Sequence, residues 1–418
     1  MPLANDRSQS NLSAADSEIE SEDLSSRDRE IQQAIAQLTT GDFHSRWDNA
    51  KQCAKQFAEW GDCTVPPLIH QIQAETDPAN QGFIVRVLSQ FDRPEVVEAI
   101  AHLLITTPEA YLQKETTKAL TTLGNSAIET LSALIASPDL AQKILAAKAL
   151  AHIRRTPVIE PLLSIAHHAD TTLRAIALEA LGSFHDPRIT PVLIAATEDE
   201  PAISQEAIRA LGRRRDLLEN QESESTVDLI GSLSHTLQSP YVEVAKESAI
   251  ALGRLGTPDA VLSLSHLLSQ PSPTAVKVAA VRALGWIGTL AAIQALTKAF
   301  SDTAPVIMPT VQQEIARSLG QTSSPDLKAI AAQPLINWLK SLQIQPHPSG
   351  HLSEAIPTDP FIVSLKQTAI LALSRLGSTD AIESLTALLN DSNAHIRMHA
   401  LSALEQIDPD NPHLINRR

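Results

Sequence analysis

Arginine, glutamate and one tryptophan recur along this chain at intervals that would place them on one surface. Glu206, Arg209 and Arg213 open the densest stretch, and Glu247, Arg254, Arg282, Trp286 and Arg317 continue it. A guanidinium is a planar fork of N–H donors that meets a carboxylate in bidentate fashion, so a row of them suits an acidic partner surface. Trp286 at the same level supplies a large flat anchor of the kind that dominates binding hot spots. The plainer alternative is solvated pairing within single helices, as in Glu115–Lys118, Glu206–Arg209 and Glu314–Arg317. Such exposed pairs contribute about 0.2–0.5 kcal/mol each.

The other reactive side chains form no catalytic constellation. There is no Gly-rich phosphate loop, no Gly-x-Ser-x-Gly nucleophile elbow and no triad signature, so no catalytic residue is assigned. His395 and His399 would share a helix face and His167 adjoins His168, but no third ligand stands near them. They read as surface histidines, and neither a metal nor a cofactor is expected. The two cysteines are too few for a disulfide framework or a self-contained zinc or iron–sulfur site, and they fit a reducing cytoplasmic setting. Cys53 falls on a core position and reads as buried and inert. Cys63 follows Gly61-Asp62 in a turn; a ligand shared with a partner's cluster is the alternative to a plain exposed thiol.

What would hold the charged row is a repeat. Ala-Leu, two residues, then an apolar residue and often Gly recurs at Ala119-Leu120, Ala149-Leu150, Ala180-Leu181, Ala210-Leu211, Ala251-Leu252, Ala283-Leu284, Ala372-Leu373 and Ala403-Leu404. With Phe57, Leu88 and Leu319 this makes eleven markers, most of them 30–32 residues apart, with longer steps of 41 before Leu252, 35 before Leu319 and 54 before Leu373. Each unit reads as two helices. A first apolar stretch such as Val96–Leu104 or Ala127–Ile135 leads through a turn to a second helix that carries the marker and ends at Gly. No single hairpin buries both of its apolar faces, so neighbouring hairpins must stack. The expected fold is an all-α solenoid of about eleven helical hairpins. Counted from the marker, the residues five before, two before and two after fall on one ridge of the second helix, away from the core. The residues two before are Lys55, Arg86, Lys118, Lys148, Glu179, Arg209, Ile250, Arg282 and Arg317, and two after come Arg213, Arg254, Trp286 and Arg375.

Length and charge bound the partners. The chain has 418 residues, 43% of them hydrophobic but only 3% aromatic, with a formal net charge of −15. An acidic surface repels phosphate, which argues against nucleic acid and against an anionic membrane surface. No apolar run reaches membrane-spanning length and no secretory leader precedes the array. Residues 1–26 are expected as a disordered acidic tail and 27–418 as the array, with loop insertions near 215–227 and 343–362. The first insertion is acidic (Asp216, Glu219, Glu222, Glu224); the second carries Pro346, Pro348, Pro357 and Pro360, which oppose regular helix.

The run Asp391-Ser392-Asn393-Ala394-His395-Ile396-Arg397, followed by Ala400-Leu401-Ser402-Ala403-Leu404, resembles the phycobilisome-lyase type of HEAT-like repeat, and the likeness extends from Arg29 onward. The resemblance implies that the charged ridge lines a concave face. It implies two functions. One is a non-catalytic scaffold holding another protein, such as an iron–sulfur carrier or a phycobiliprotein. The other is a lyase or lyase subunit that attaches a bilin to an antenna cysteine, with the arginines meeting the bilin propionates. A di-iron hydroxylase on the same fold would need His-Glu pairs, and none of the 14 histidines precedes a glutamate. Lys143, Arg174, Lys277, Lys366 and Arg397, seven before their markers, resemble the structural ladder inside such arrays.

Overall fold

The computed structural model describes residues 27–38, 43–218, 224–302, 308–343 and 360–409. The tail expected over 1–26, the acidic positions 219–223 and the Pro-rich stretch 344–359 lie outside the described residues. Every regular element among the described residues is helical. The chain divides into two compact units, Met1–Leu181 and Gly182–Arg418.

In the N-terminal unit the helices are α1 (27–38), α2 (Phe43–Trp60), α3 (Val65–Ala74), α4 (Pro78–Leu88), α5 (Pro94–Thr106), α6 (Ala110–Leu123), α7 (Asn125–Ile135), α8 (Leu140–His152), α9 (Ile159–Ile165) and α10 (Thr171–Leu181). In the C-terminal unit they are α11 (Ile189–Ala196), α12 (Pro201–Leu211), α13 (Glu224–Thr236), α14 (Val242–Leu255), α15 (Pro258–Ser269), α16 (Thr274–Ile287), α17 (Leu290–Ser301), α18 (Pro309–Leu319), α19 (Pro325–Gln343), α20 (Pro360–Leu376), α21 (Ile382–Ala387) and α22 (Ala394–Ile407). Odd-numbered helices are first helices and even-numbered ones are second helices, which gives the expected hairpins. Second helices pack on second helices (α2 to α4 to α6 to α8 to α10, and α12 to α14 to α16 to α18 to α20 to α22). First helices form the other layer, from α3 to α9 in one unit and from α11 to α21 in the other. Each unit is therefore an all-α solenoid with its core between two helix layers.

The marker residue is what joins the layers. All eleven, from Phe57 to Leu404, are 0% exposed. Burying such a side chain contributes about 1.5–3 kcal/mol, and a single hairpin alone could not enclose it. Local signals set the helix ends. Asp77, Asp139 and Asn393 accept from the N–H two residues on, at 2.8, 2.8 and 2.9 Å. Such caps satisfy one of the orphan donors of a first turn. Gly256 and Gly288 end α14 and α16 in the left-handed region, at φ 70° and 62°.

Four of the five cations seven before the marker, Arg174, Lys277, Lys366 and Arg397, are structural. Arg174 Nη1 donates to the carbonyls of His168 and Ala169, both at 2.9 Å. Arg397 Nη1 does the same to Asp391 and Ser392, at 2.8 and 3.0 Å. Lys277, 2% exposed, donates to Leu268 O at 3.1 Å. Lys366 reaches from α20 to Asp391 Oδ2 of the following hairpin at 2.7 Å. Each closes backbone or turn groups between the helices of a hairpin or between successive hairpins.

Two expected boundaries are corrected. Helix α13 begins at Glu224, inside the loop expected near 215–227, and Arg215–Leu218 is a 3-10 turn. A glutamate is favourable in a first helical turn, facing the positive end of the helix dipole. Helix α20 begins at Pro360, inside the expected 343–362 loop. Proline at the first helical position loses no hydrogen bond, so the argument against helix fails at that residue.

A further device runs through the C-terminal unit. Gly212, Gly253, Gly285 and Gly320 each directly follow a marker, and each sits against the residue that precedes the next marker. A methyl group placed on Gly212 would lie 2.9 Å from Ala251 Cα, on Gly253 2.7 Å from Ala283 Cβ, on Gly285 3.1 Å from Ser318 Cβ, and on Gly320 2.6 Å from Ala372 Cα. Four successive second-helix contacts are thus made at glycine, three with no room for a Cβ and the fourth, at Gly285, with room only if Ser318 gives way. After the first four markers of the N-terminal unit stand Ala58, Ser89, Thr121 and Ala151, while its last marker, Leu181, is followed by Gly182.

Candidate partner-binding face

The ridge divides into two kinds of arginine. Those two before the marker are already paired, chiefly across hairpins. Arg86 Nε donates to Glu115 Oε2 at 2.7 Å, which holds the guanidinium more firmly in its charged form. Arg282 Nε donates to Glu314 Oε1 at 2.7 Å, and Arg317 bonds the other oxygen of the same carboxylate. Arg209 bonds Glu206 within α12 and lies 3.5 Å from Glu247 of α14. The glutamate five before one marker thus meets the arginine two before the preceding marker.

This corrects the position given to those glutamates. Glu115 and Glu314 are buried, 8% and 7% exposed, and Glu206 and Glu247 are half-buried. Glu115, Glu247 and Glu314 face the preceding second helix and not an open ridge, because the tight stack brings the arginine of that helix to them. Arg209–Glu247 and Arg282–Glu314 therefore join successive hairpins, while Glu206 and Arg317 pair within their own helices. Pairing was expected only within a helix; the cross-hairpin partner depends on stacking distance, which one helix's spacing does not contain.

The residues two after the marker are different. Arg213, at the end of α12, and Arg254, in the last turn of α14, are exposed, and Trp286 on α16 is 61% exposed. With Arg215 they surround a cleft of about 510 Å³ whose floor includes Gly212 and Gly253. Among the described residues, the guanidinia of Arg213, Arg215 and Arg254 have no hydrogen-bond or ion-pair partner, and no acidic residue lines the cleft. The glycine contacts explain the geometry: α12, α14 and α16 approach closely, so the side chains at their ends share one opening. Between Arg213 and Arg215 the chain turns Arg214 inward, 1% exposed, where its Nε donates to Asp216 Oδ1 at 3.2 Å. That bond fixes the turn from which its two neighbours project, and it takes Asp216 out of the acidic loop expected there. Arg215 and the marker-following glycines were missed in the sequence, although the Leu-Gly steps at 211, 252, 284 and 319 were visible.

The cysteines and histidines resolve simply, as does one further tryptophan. Trp338 on α19 is half-buried and packs edge-on against Phe300, ring centroids 6.2 Å apart. Cys53 is 1% exposed and burial pushes its thiol pKa up; Cys63 is exposed, its thiol donating to Trp60 O at 3.2 Å. His168 Nδ1 accepts from the Asp170 N–H at 3.0 Å, a turn contact. The N-terminal unit has a cleft of about 380 Å³ around Val65, Ile69 and His70, but its one cation, Arg93, is paired with Asp62 at 2.8 Å.

The model of the family described as HEAT repeats matches residues 65–151, 159–235, 230–307 and 351–415, well over half of the chain. The chain belongs to the HEAT-repeat family. Over 148 residues, 35% of this chain and 72% of the relative, it is 26% identical to a protein called uncharacterized phycocyanin operon protein Z, from Pseudanabaena tenuis (strain PCC 7409). That relative accords with the phycobilisome-lyase type of HEAT-like repeat. Among solved structures, Kap121p bound to Ste12p is similar at 13% identity and a TM-score of 0.57, covering 89% of this chain and 45% of that one. A Kap95p structure concerned with RanGDP is similar at 13% identity and a TM-score of 0.51, covering 90% of this chain and 54% of that one. This HEAT chain thus spans about half the length of both, and at such identity the likeness is one of fold. No described helix is long and apolar enough to cross a membrane.

Proposed function

We propose that this HEAT array is a non-catalytic scaffold that holds another protein on the second-helix face of its C-terminal unit. The observation that carries the reading is the cleft of Arg213, Arg215, Arg254 and Trp286, where exposed guanidinia have no partner among the described residues and stand beside an exposed tryptophan. In a chain of net charge −15, a local cationic site is a specific feature and not a general surface property. Tryptophan and arginine are the residues most often found to anchor protein interfaces. A small iron–sulfur carrier and a phycobiliprotein are the candidate partners.

A second reading, a bilin lyase or lyase subunit, is favoured by the relative whose printed name places it in a phycocyanin operon. Its cargo would be a tetrapyrrole, whose propionates match the free guanidinia by charge and shape and whose rings match Trp286. One experiment separates the two. The full chain and an Arg254→Glu/Trp286→Ala variant are used to capture partners from the native host's extract, with absorption spectra of each eluate. A protein captured by the parent alone, without a visible bilin band, supports the scaffold. A bilin band lost in the variant moves the assignment to the lyase. Equal capture by both chains rejects this face.

A further inference from the structure

The chemistry of the cleft narrows what it accepts. Its three guanidinia, unpaired among the described residues, are mounted on two elements, Arg213 and Arg215 on the turn after α12 and Arg254 on the last turn of α14. Trp286 forms a further wall from α16, and the floor is glycine backbone. The arginines two before the markers do not compete for an incoming anion, since Glu206, Glu247 and Glu314 already occupy them. A volume of about 510 Å³ holds several side chains. Cations spread over two helix ends suit several separate carboxylates better than one compact dianion, which calls for guanidinia converging on a single point.

We infer that the cleft is a recognition site for a short acidic peptide segment of a partner, with Asp or Glu carboxylates on Arg213, Arg215 and Arg254 and one aromatic or apolar residue against the face of Trp286. The inference rests on the scaffold reading and states the partner chemistry of the same site. Each carboxylate meets a fork of N–H donors, and the tryptophan gives position along the segment. Recognition is therefore salt-dependent and is lost when the peptide's charge is removed at constant shape.

The test is fluorescence anisotropy of a labelled Glu-rich peptide carrying a single Phe, titrated with the full chain. A Gln-for-Glu peptide and inorganic phosphate serve as comparison and competitor. The expected result is saturable binding of the acidic peptide, weakened about tenfold or more in Arg213→Ala/Arg254→Ala and about fivefold in Trp286→Ala. The Gln peptide does not bind, and added NaCl weakens the acidic one. Unfolding midpoints equal to the parent's confirm that the variants are folded. Equal binding of the Gln peptide, insensitivity to the arginine substitutions, or full displacement by inorganic phosphate at equimolar concentration each overturns the inference, the last in favour of a phosphoryl site. If the peptide fails to bind while Arg254→Glu/Trp286→Ala still loses its captured protein, the acidic segment is wrong and the scaffold reading stands. If that capture is also unaffected, both fall.

Discussion

The two units of this chain are built from the same hairpin, yet they treat their second helices differently. Both use the fully buried marker, and both join successive second helices by an arginine–glutamate bond, Arg86–Glu115 in one and Arg282–Glu314 in the other. Glycine follows four successive markers of the C-terminal unit but only the last marker of the N-terminal one, Leu181, and only in the C-terminal unit do arginines and a tryptophan stand two residues after the marker. The corresponding residues of the N-terminal unit are Glu59, Gln90, Thr122 and His152. Shared positions between the units thus carry the fold. The positions that differ bring helix ends together and leave charge unpaired among the described residues, as a binding face requires and stability does not.

The largest effect that can break this comparison is on the glycine contacts. Gly253→Ala and Gly320→Ala would press a methyl group to 2.7 and 2.6 Å from Ala283 and Ala372. Overpacking of this kind costs about 1–3 kcal/mol, offset by about 1 kcal/mol of helix propensity, and the backbone contact at Gly320 makes it the worse of the two. Gly231→Ala is the control: nothing lies within 4 Å of its added methyl, so a small gain is expected. Urea unfolding midpoints of the three variants decide it, and equal behaviour would mean that close approach is incidental.

Next in size are the buried glutamates. Glu314→Ala is expected to cost about 1–3 kcal/mol, because a carboxylate bonded by two arginines is removed and both guanidinia lose their partner. Glu115→Ala should cost less, since its carboxylate is bonded to Arg86 from the neighbouring helix alone among the described residues. A reversed order would contradict the reading that the C-terminal unit relies more on this network.

A smaller effect is expected at Lys277. Burial lowers its pKa below 10.5 in the folded chain, so the folded state gives up the proton before the unfolded state does. Below the folded pKa both states are charged and its contribution is constant. Between that value and 10.5 the unfolded state binds more protons, so stability rises with pH. Lys277→Met should remove this alkaline rise, which midpoints measured across that window would detect. The smallest stability change belongs to Arg254→Ala and Trp286→Ala, each within about 0.5 kcal/mol of the parent, because neither is buried or bonded among the described residues. A large destabilisation there would recast the cleft as structural.

Much of the fold was legible because one residue per hairpin had to be buried. The marker spacing located every second helix, and the glycines after apolar ends located the stops at Gly256 and Gly288. Boundaries failed at Glu224 and Pro360, where a residue type that reads as loop also suits a helix start. The site was half legible. Arg213, Arg254 and Trp286 follow from position along one helix. The pairing of Arg209 with Glu247 and of Arg282 with Glu314 does not, since it depends on how closely neighbouring helices stack. The glycines that set that distance were visible in the sequence, but a helix-by-helix reading gave glycine only the role of a stop.

The measurement that bears most directly on the difference between the units is hydrogen–deuterium exchange of the full chain, free and with its captured partner. The expected result is slowed exchange at the C-terminal turns of α12, α14 and α16 and through Arg215–Leu218, with the second helices of the N-terminal unit unchanged. Protection confined to α2, α4, α6 or α8, with the cleft unaffected, would contradict it.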